Sequence, residues 1–412
     1  MNYKNLLLVL FTLTLCACAT DYSTPLATQA SHQQHHGAES PQCSASKTPS
    51  IQCSKTVTSA FDHQGRLWVT WVDHNHIYLQ SSLDQGDHFS APQLVNRVEE
   101  AVIAHGEYRP KIKFNAQDTI FITWTVALEK KNTGHIRFSR SSDGGNTFSE
   151  PVTINDNLDV IGHRFDSLLI GKNGELWIAW LDARDKEQAK LVNQPFEGSS
   201  LYFAYSEDGG ITFHANQMAI NHTCECCRLG LELDNNNLPV VLWRHVFAGN
   251  IRDHALLRFQ DSLKPGTLHR VSNENWQIDA CPHHGPALAI DSSGNYHVAW
   301  FSGASGRQGL FYANSSDGGL HFSNPYPFAS QGAGHPAVIS QGQTVALLWS
   351  QFDGEQNQLI LQLSHDSGVS WNSPQTIART ALSADDGFLL TDGQQLYVSW
   401  QTGDGYQFMQ IE

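Results

Sequence analysis

Basic side chains are scarce in this chain: 25 Lys and Arg stand against 40 Asp and Glu, a formal net charge of −15. Proteins that hold nucleic acid use a basic surface to neutralise phosphates, so the balance argues against such a partner. Long apolar runs are missing as well, apart from one at the amino terminus, and no later segment is expected to cross a bilayer as a helix. Cysteine is sparse, with eight in 412 residues, yet Cys224, Cys226 and Cys227 crowd into four positions of NHTCECCRLG. Thiols placed so unevenly call for a chemical reason.

The chain opens MNYKNLLLVLFTLTLCAC, with Lys4 ahead of an apolar run from Leu6 to Leu15. That run is too short to span a bilayer and has the shape of a secretory signal. It ends in Leu15-Cys16-Ala17-Cys18, which resembles the bacterial lipoprotein cleavage box. The resemblance implies that residues 1–17 are removed and that Cys18 carries the lipid. With Ala19 where a retention Asp would stand, it also implies sorting to the outer membrane of a Gram-negative cell, facing the periplasm. The membrane is then a partner through the lipid anchor. Residues 18–45 are polar, rich in Ser, Thr, Gln and Ala, and too poor in large apolar groups to order themselves, so they read as a tether. Cys43 and Cys53 read as a local disulfide in an exported protein, pinning the segment that closes the fold.

From residue 46 to the end the chain repeats itself. Apolar, β-rich segments ending in Trp recur seven times, 49 to 63 residues apart: Trp71, Trp124, Trp180, Trp243, Trp300, Trp349 and Trp400. Before each comes a shorter apolar stretch and a turn such as GKNG or DSSG, where Gly and Asn supply the left-handed backbone of a tight hairpin. After five of them comes SxDxGxxF/W: Ser82–Phe89, Ser141–Phe148, Ser206–Phe213, Ser315–Phe322 and Ser364–Trp371. This pattern resembles the Asp-box, or BNR, repeat of the sialidase-like β-propellers. The resemblance covers nearly everything from about residue 50 onward and implies an all-β propeller of four-stranded antiparallel blades. Seven repeats favour seven blades over the six of sialidases. The seventh repeat ends after three strands, and residues 46–54 are expected to supply its fourth.

With strands lettered A to D from the axis outward, the Asp boxes and tight turns share one face. The longer D–A and B–C loops share the other, where function concentrates on a rigid scaffold. Those loops carry His105, Tyr108 and Arg109; His163, Arg164 and Asp166; His222, the three thiols and Arg228; Cys281, His283 and His284; His335; and Asp385-Asp386. The B–C loops add Asp182, Arg184, Asp185, Arg244, His245, Arg252, Asp253 and His254. All are expected around the mouth of the central channel.

Two uses of the sulfurs compete. Cys224, Cys226, Cys227 and Cys281, with His222, His283 or His284, form a soft donor set suited to copper or zinc. In an oxidising compartment the same four would pair as two disulfides in one of three connectivities. Arginines suggest a second role, because Arg109, Arg164, Arg228, Arg244 and Arg252 are placed to grip a small anionic ligand or a glycan through bidentate forks. Each has a competing use as the ion-pair partner of Asp166, Asp182 or Asp253, foremost Arg184. Sialidase resemblance implies an arginine triad, a Tyr nucleophile and an Asp acid. The candidates are Arg109, Tyr108, Arg164, Asp166, Arg252 and Asp253, with Glu107 beside Tyr108. Against that activity, Arg109 follows the first Asp box where the family's comparable Arg precedes it. The leading expectation is a binding role, with a sialidase-type glycoside hydrolase and a protein-interaction scaffold as alternatives.

Overall fold

The computed structural model describes residues 48–330 and 332–411. Cys18, the tether and Cys43 fall outside them, so lipidation and the pairing of Cys43 with Cys53 remain expectations.

Seven antiparallel sheets follow one another along the chain, at residues 57–94, 111–153, 163–223, 230–270, 287–329, 333–380 and 388–410. Each is a blade of a propeller. In blade one, Val57–Phe61, Leu67–Asp73, His76–Ser82 and Gln93–Leu94 pair in sequence order. Strand B of every blade is covered on both faces by neighbouring blades, which explains why LWVTW or LWIAW reads as a continuous apolar run with no alternation. The seven tryptophans that end these runs are all buried, at no more than 2% exposure. Burying a large apolar side chain stabilises by about 1.5–3 kcal/mol, so these positions anchor the contacts between blades.

The Asp boxes repeat one hydrogen-bond pattern. In blade two, Ser141 Oγ donates to Asp143 Oδ1 at 2.8 Å, Gly145 N–H donates to Ser141 Oγ at 3.0 Å, and Thr147 N–H donates to Asp143 Oδ1 at 2.9 Å. The same set recurs around Asp84, Asp208, Asp317 and Asp366. Hydrogen bonds from the turn hold Asp84, Asp143, Asp208 and Asp366 down at about 2. In blade four, which has no box, the turn is a tight reversal with Asp261 paired to Lys264.

The ring closes where strand A of blade one meets blade seven: Ser59 Oγ lies 3.0 Å from Ser399 Oγ and 2.6 Å from Tyr406 Oη. Blade seven shows three strands among the described residues. The segment expected to add the fourth forms a 3-10 turn at Ile51–Cys53, capped by Ser50. It still seals the seam. Gln52 Oε1 accepts the N–H of Tyr406 at 2.9 Å, and Ile51 joins Leu390 and Tyr397 in one apolar cluster. A second difference lies in the B–C segment of blade three, read from sequence as one of the longer loops, where Arg184–Leu191 form an α-helix.

Candidate functional site

Blade three ends its outer strand at Thr223, and the chain turns inward through TCECCR to the first strand of blade four, Gly230–Leu233. This crossing places Cys224, Cys226 and Cys227 at the top of the apolar core between those blades, each 2% exposed, against Tyr108, Phe165 and Leu229. Cys224 Sγ stands 3.7 Å from both Cys226 Sγ and Cys227 Sγ. A disulfide would need about 2.05 Å. Cys281, from the loop entering blade five, is exposed and comes to Cys226 together with His283.

The donors therefore form two triads, Cys224–Cys226–Cys227 and Cys226–Cys281–His283, each with its ligand atoms within 4.8 Å of one another. Cys226 belongs to both. Of the three histidines expected near the sulfurs, only His283 joins them. His222 Nδ1 lies 3.0 Å from the Glu197 carbonyl with its ring against Phe196, and His284 is buried with its ring packed on Phe301 and His335.

Charge around the thiols is positive. Arg252 Nη1 donates to Cys224 Sγ at 3.4 Å, and Arg244, itself fully buried, adds its field. Hydrogen bonds from Cys226 and Cys227, then these guanidiniums, pull Cys224 well below the usual thiol range against the opposing effect of burial. Cys226, donating to its neighbours, is pushed up, and burial pushes Cys227 up as well. The group thus favours a thiolate at Cys224, and a thiolate is the form that binds metal.

The arginines are largely committed. Arg109 Nη2 donates to Asp385 Oδ1 at 2.9 Å, and its other nitrogens reach the carbonyls of Val57 and Gly106. Arg228 holds Glu107, with Nη1 at 2.9 Å from Oε1 and its own N–H at 3.1 Å from Oε2. Arg244 binds the carbonyls of Arg252, His284 and Phe301 at 3.0 Å each. Arg184 pairs with Asp182 and Asp156, as its neighbourhood suggested. Asp253 takes Arg270, not Arg252, and Asp166 accepts from Thr123 and Thr125, not from Arg164. Arg164 lies over the rings of Tyr108 and Phe165 and lines a cleft of about 480 Å³ with His105 and Tyr108.

Sequence reasoning named Glu107, His335 and Asp386 but missed that Glu107 is the centre of this network. Glu107 accepts from Arg228, from the Gly285 N–H at 2.9 Å, and stands 3.3 Å from His335 Nδ1, which is 3.1 Å from Asp386 Oδ2. One carboxylate so gathers the entrances of blades two, four and five and the first strand of blade six. Burial would raise Glu107, but Arg228 and His335 outweigh it and hold it well below the usual range. The legible signal was an excess of opposite charges among D–A loops that the repeat brings to one axis.

No protein-family model matches the chain, and no curated protein is similar to it in sequence. Among solved structures it is similar to an ulvan lyase of a new polysaccharide lyase family, with a TM-score of 0.55 and 11% identity over 86% of this chain and 91% of that one. It is also similar to a Hadza microbial sialidase, at 0.51 and 13% over 84% and 76%. A protein of unknown function from Dyadobacter fermentans matches at 0.50 and 14% over 77% and 96%. The likeness is one of fold: the sialidase-like propeller expected from the Asp boxes is present.

Proposed function

We propose that this protein is an exported, lipid-anchored propeller of the bacterial envelope that binds a soft metal ion at its channel mouth, copper(I) first and zinc second. The observation that carries the reading is the 3.7 Å spacing from Cys224 Sγ to Cys226 Sγ and Cys227 Sγ. Sulfurs about 2.3 Å from one metal lie about 3.8 Å apart in a tetrahedral set and about 4.0 Å apart in a trigonal one. Thiolate and imidazole donors select copper(I) and zinc over harder ions. Localisation rests on the leader and the Cys18 box alone.

Hydrolysis of sialic-acid-like sugars fits the arrangement less well. Burial drives the Tyr108 hydroxyl far above its ordinary value, and its partner is Arg164, while Glu107 is held by Arg228. Neither group is free to serve as the nucleophile or its base. An anionic ligand or glycan retains one candidate contact, Arg164 at the cleft.

Full-length protein, reduced and handled without oxygen, is expected to retain copper(I) through gel filtration and to show thiols reactive only after a chelator strips the metal. Failure of the reduced protein to bind copper or zinc would overturn the reading. Turnover of a fluorogenic sialoside, lost in Arg109→Ala, would establish the hydrolase instead.

A further inference from the structure

The two donor triads differ in ways that a single four-ligand centre would not produce. Cys224, Cys226 and Cys227 are buried, whereas Cys281 and His283 are exposed. The four sulfurs do not all lie within 4.8 Å of one another, although each triad does. A structural zinc site almost always closes a tetrahedron of four ligands. Each triad here offers three, the number that copper(I) accepts in a trigonal set. We infer that the mouth holds two copper(I) ions, one in the buried Cys224–Cys226–Cys227 set and one in the exposed Cys226–Cys281–His283 set, bridged by the Cys226 thiolate. The inference rests on the metal-binding reading above and deepens it.

The charge is consistent. Two copper(I) ions and four thiolates leave a double negative charge, and the guanidiniums of Arg252, 3.4 Å from Cys224 Sγ, and of buried Arg244 lie against it. Glu225, between the cysteines, is already paired with Lys186 of the Arg184–Leu191 helix and adds no unpaired anion.

The geometry also gives the ions a route. An incoming copper(I) meets Cys281 and His283 at the surface and binds Cys226 as the third ligand. It moves inward when its bonds to Cys281 Sγ and the His283 ring are replaced by bonds to Cys224 Sγ and Cys227 Sγ, with Cys226 bound throughout. No electron is transferred. Each thiol that binds releases its proton to water, and Cys281 takes one back from water when the ion leaves it. A second ion then fills the vacated outer set.

The test is a copper(I) titration of the reduced, full-length protein against a chromogenic chelator, with X-ray absorption on the loaded sample. The wild type is expected to hold two equivalents with a copper–copper scattering contribution. Cys281→Ser, at an exposed position whose replacement leaves the core intact, is expected to hold one and to load more slowly. His283→Ala, which removes a direct ligand, is expected to weaken the second equivalent by more than the roughly 10- to 100-fold that losing an outer partner costs, and to spare the first. One equivalent in the wild type, or loss of both equivalents in Cys281→Ser, overturns the bridged pair and leaves the metal-binding reading standing. No copper in the wild type overturns both.

Discussion

A guanidinium beside a sulfur does two things at Arg252. It favours the thiolate of Cys224, and in the proposed metal site it would offset the charge of the bound thiolates. Removing it changes no donor atom, so Arg252→Ala is expected to leave thiol count and fold intact while lowering copper(I) affinity roughly tenfold, the scale of an outer partner to a metal ligand. Competition against a chelator of known affinity measures this, and an unchanged affinity would show that Arg252 is a bystander. Arg244 is a different case. It spans three backbone carbonyls between blades four and five, so its replacement would act on stability before binding.

At the level of the element, the Asp box shows which of its glycines matter. Gly144 and Gly210 both have positive φ, +71° and +75°. A Cβ on Gly144 would meet nothing within 4 Å, whereas one on Gly210 would come within 2.6 Å of the Phe138 ring of the preceding blade. Gly144→Ala is expected to cost about 1 kcal/mol, from backbone strain alone. Gly210→Ala is expected to cost about 2–4 kcal/mol, because overpacking adds to the strain. Equilibrium urea unfolding distinguishes the two, and equal losses would mean that the box does not set the spacing between blades. The loop helix Arg184–Leu191 was not legible because it buries no residue and shows no apolar face; its first turn leans on Asp182 and its side chains on ion pairs.

For the whole molecule, Glu107 is the tie across the axis, and its partners set a pH window. Glu107 is held low, so its stabilisation is present above about pH 4.5, its unfolded value, and is lost as pH falls below that. His335 is raised by Asp386 and Glu107 against the opposing burial. Its contribution is full below about pH 6.5 and is lost as pH rises through its higher folded value. Burial lifts Asp385 to about 7 despite Arg109, and this costs stability as pH rises from about 4 towards 7. The apo protein is therefore expected to be most heat-stable on the acid side of neutrality, near pH 5. Glu107→Gln, which removes the charge that Arg228, Gly285 and His335 share and turns an amide NH2 towards their donors, is expected to cost about 3–5 kcal/mol and flatten both limbs. A thermal optimum above pH 8 would contradict this account of the tie.

Much of this was legible because a repeat carries its own evidence. The seven Trp-ended runs and five Asp boxes determined the blade count, the strand order and the face on which the chemistry gathers, since each blade is built from local pairing in sequence order. Sequence also singled out the four cysteines. Only the tertiary structure decided that Cys226 stands between two donor sets, that His283 and not His222 or His284 reaches the sulfurs, and that Arg109 and Arg228 serve Asp385 and Glu107. The reason is geometric: those contacts join entrances of different blades, up to 276 residues apart, and their partners follow from how the ring closes rather than from any spacing along the chain.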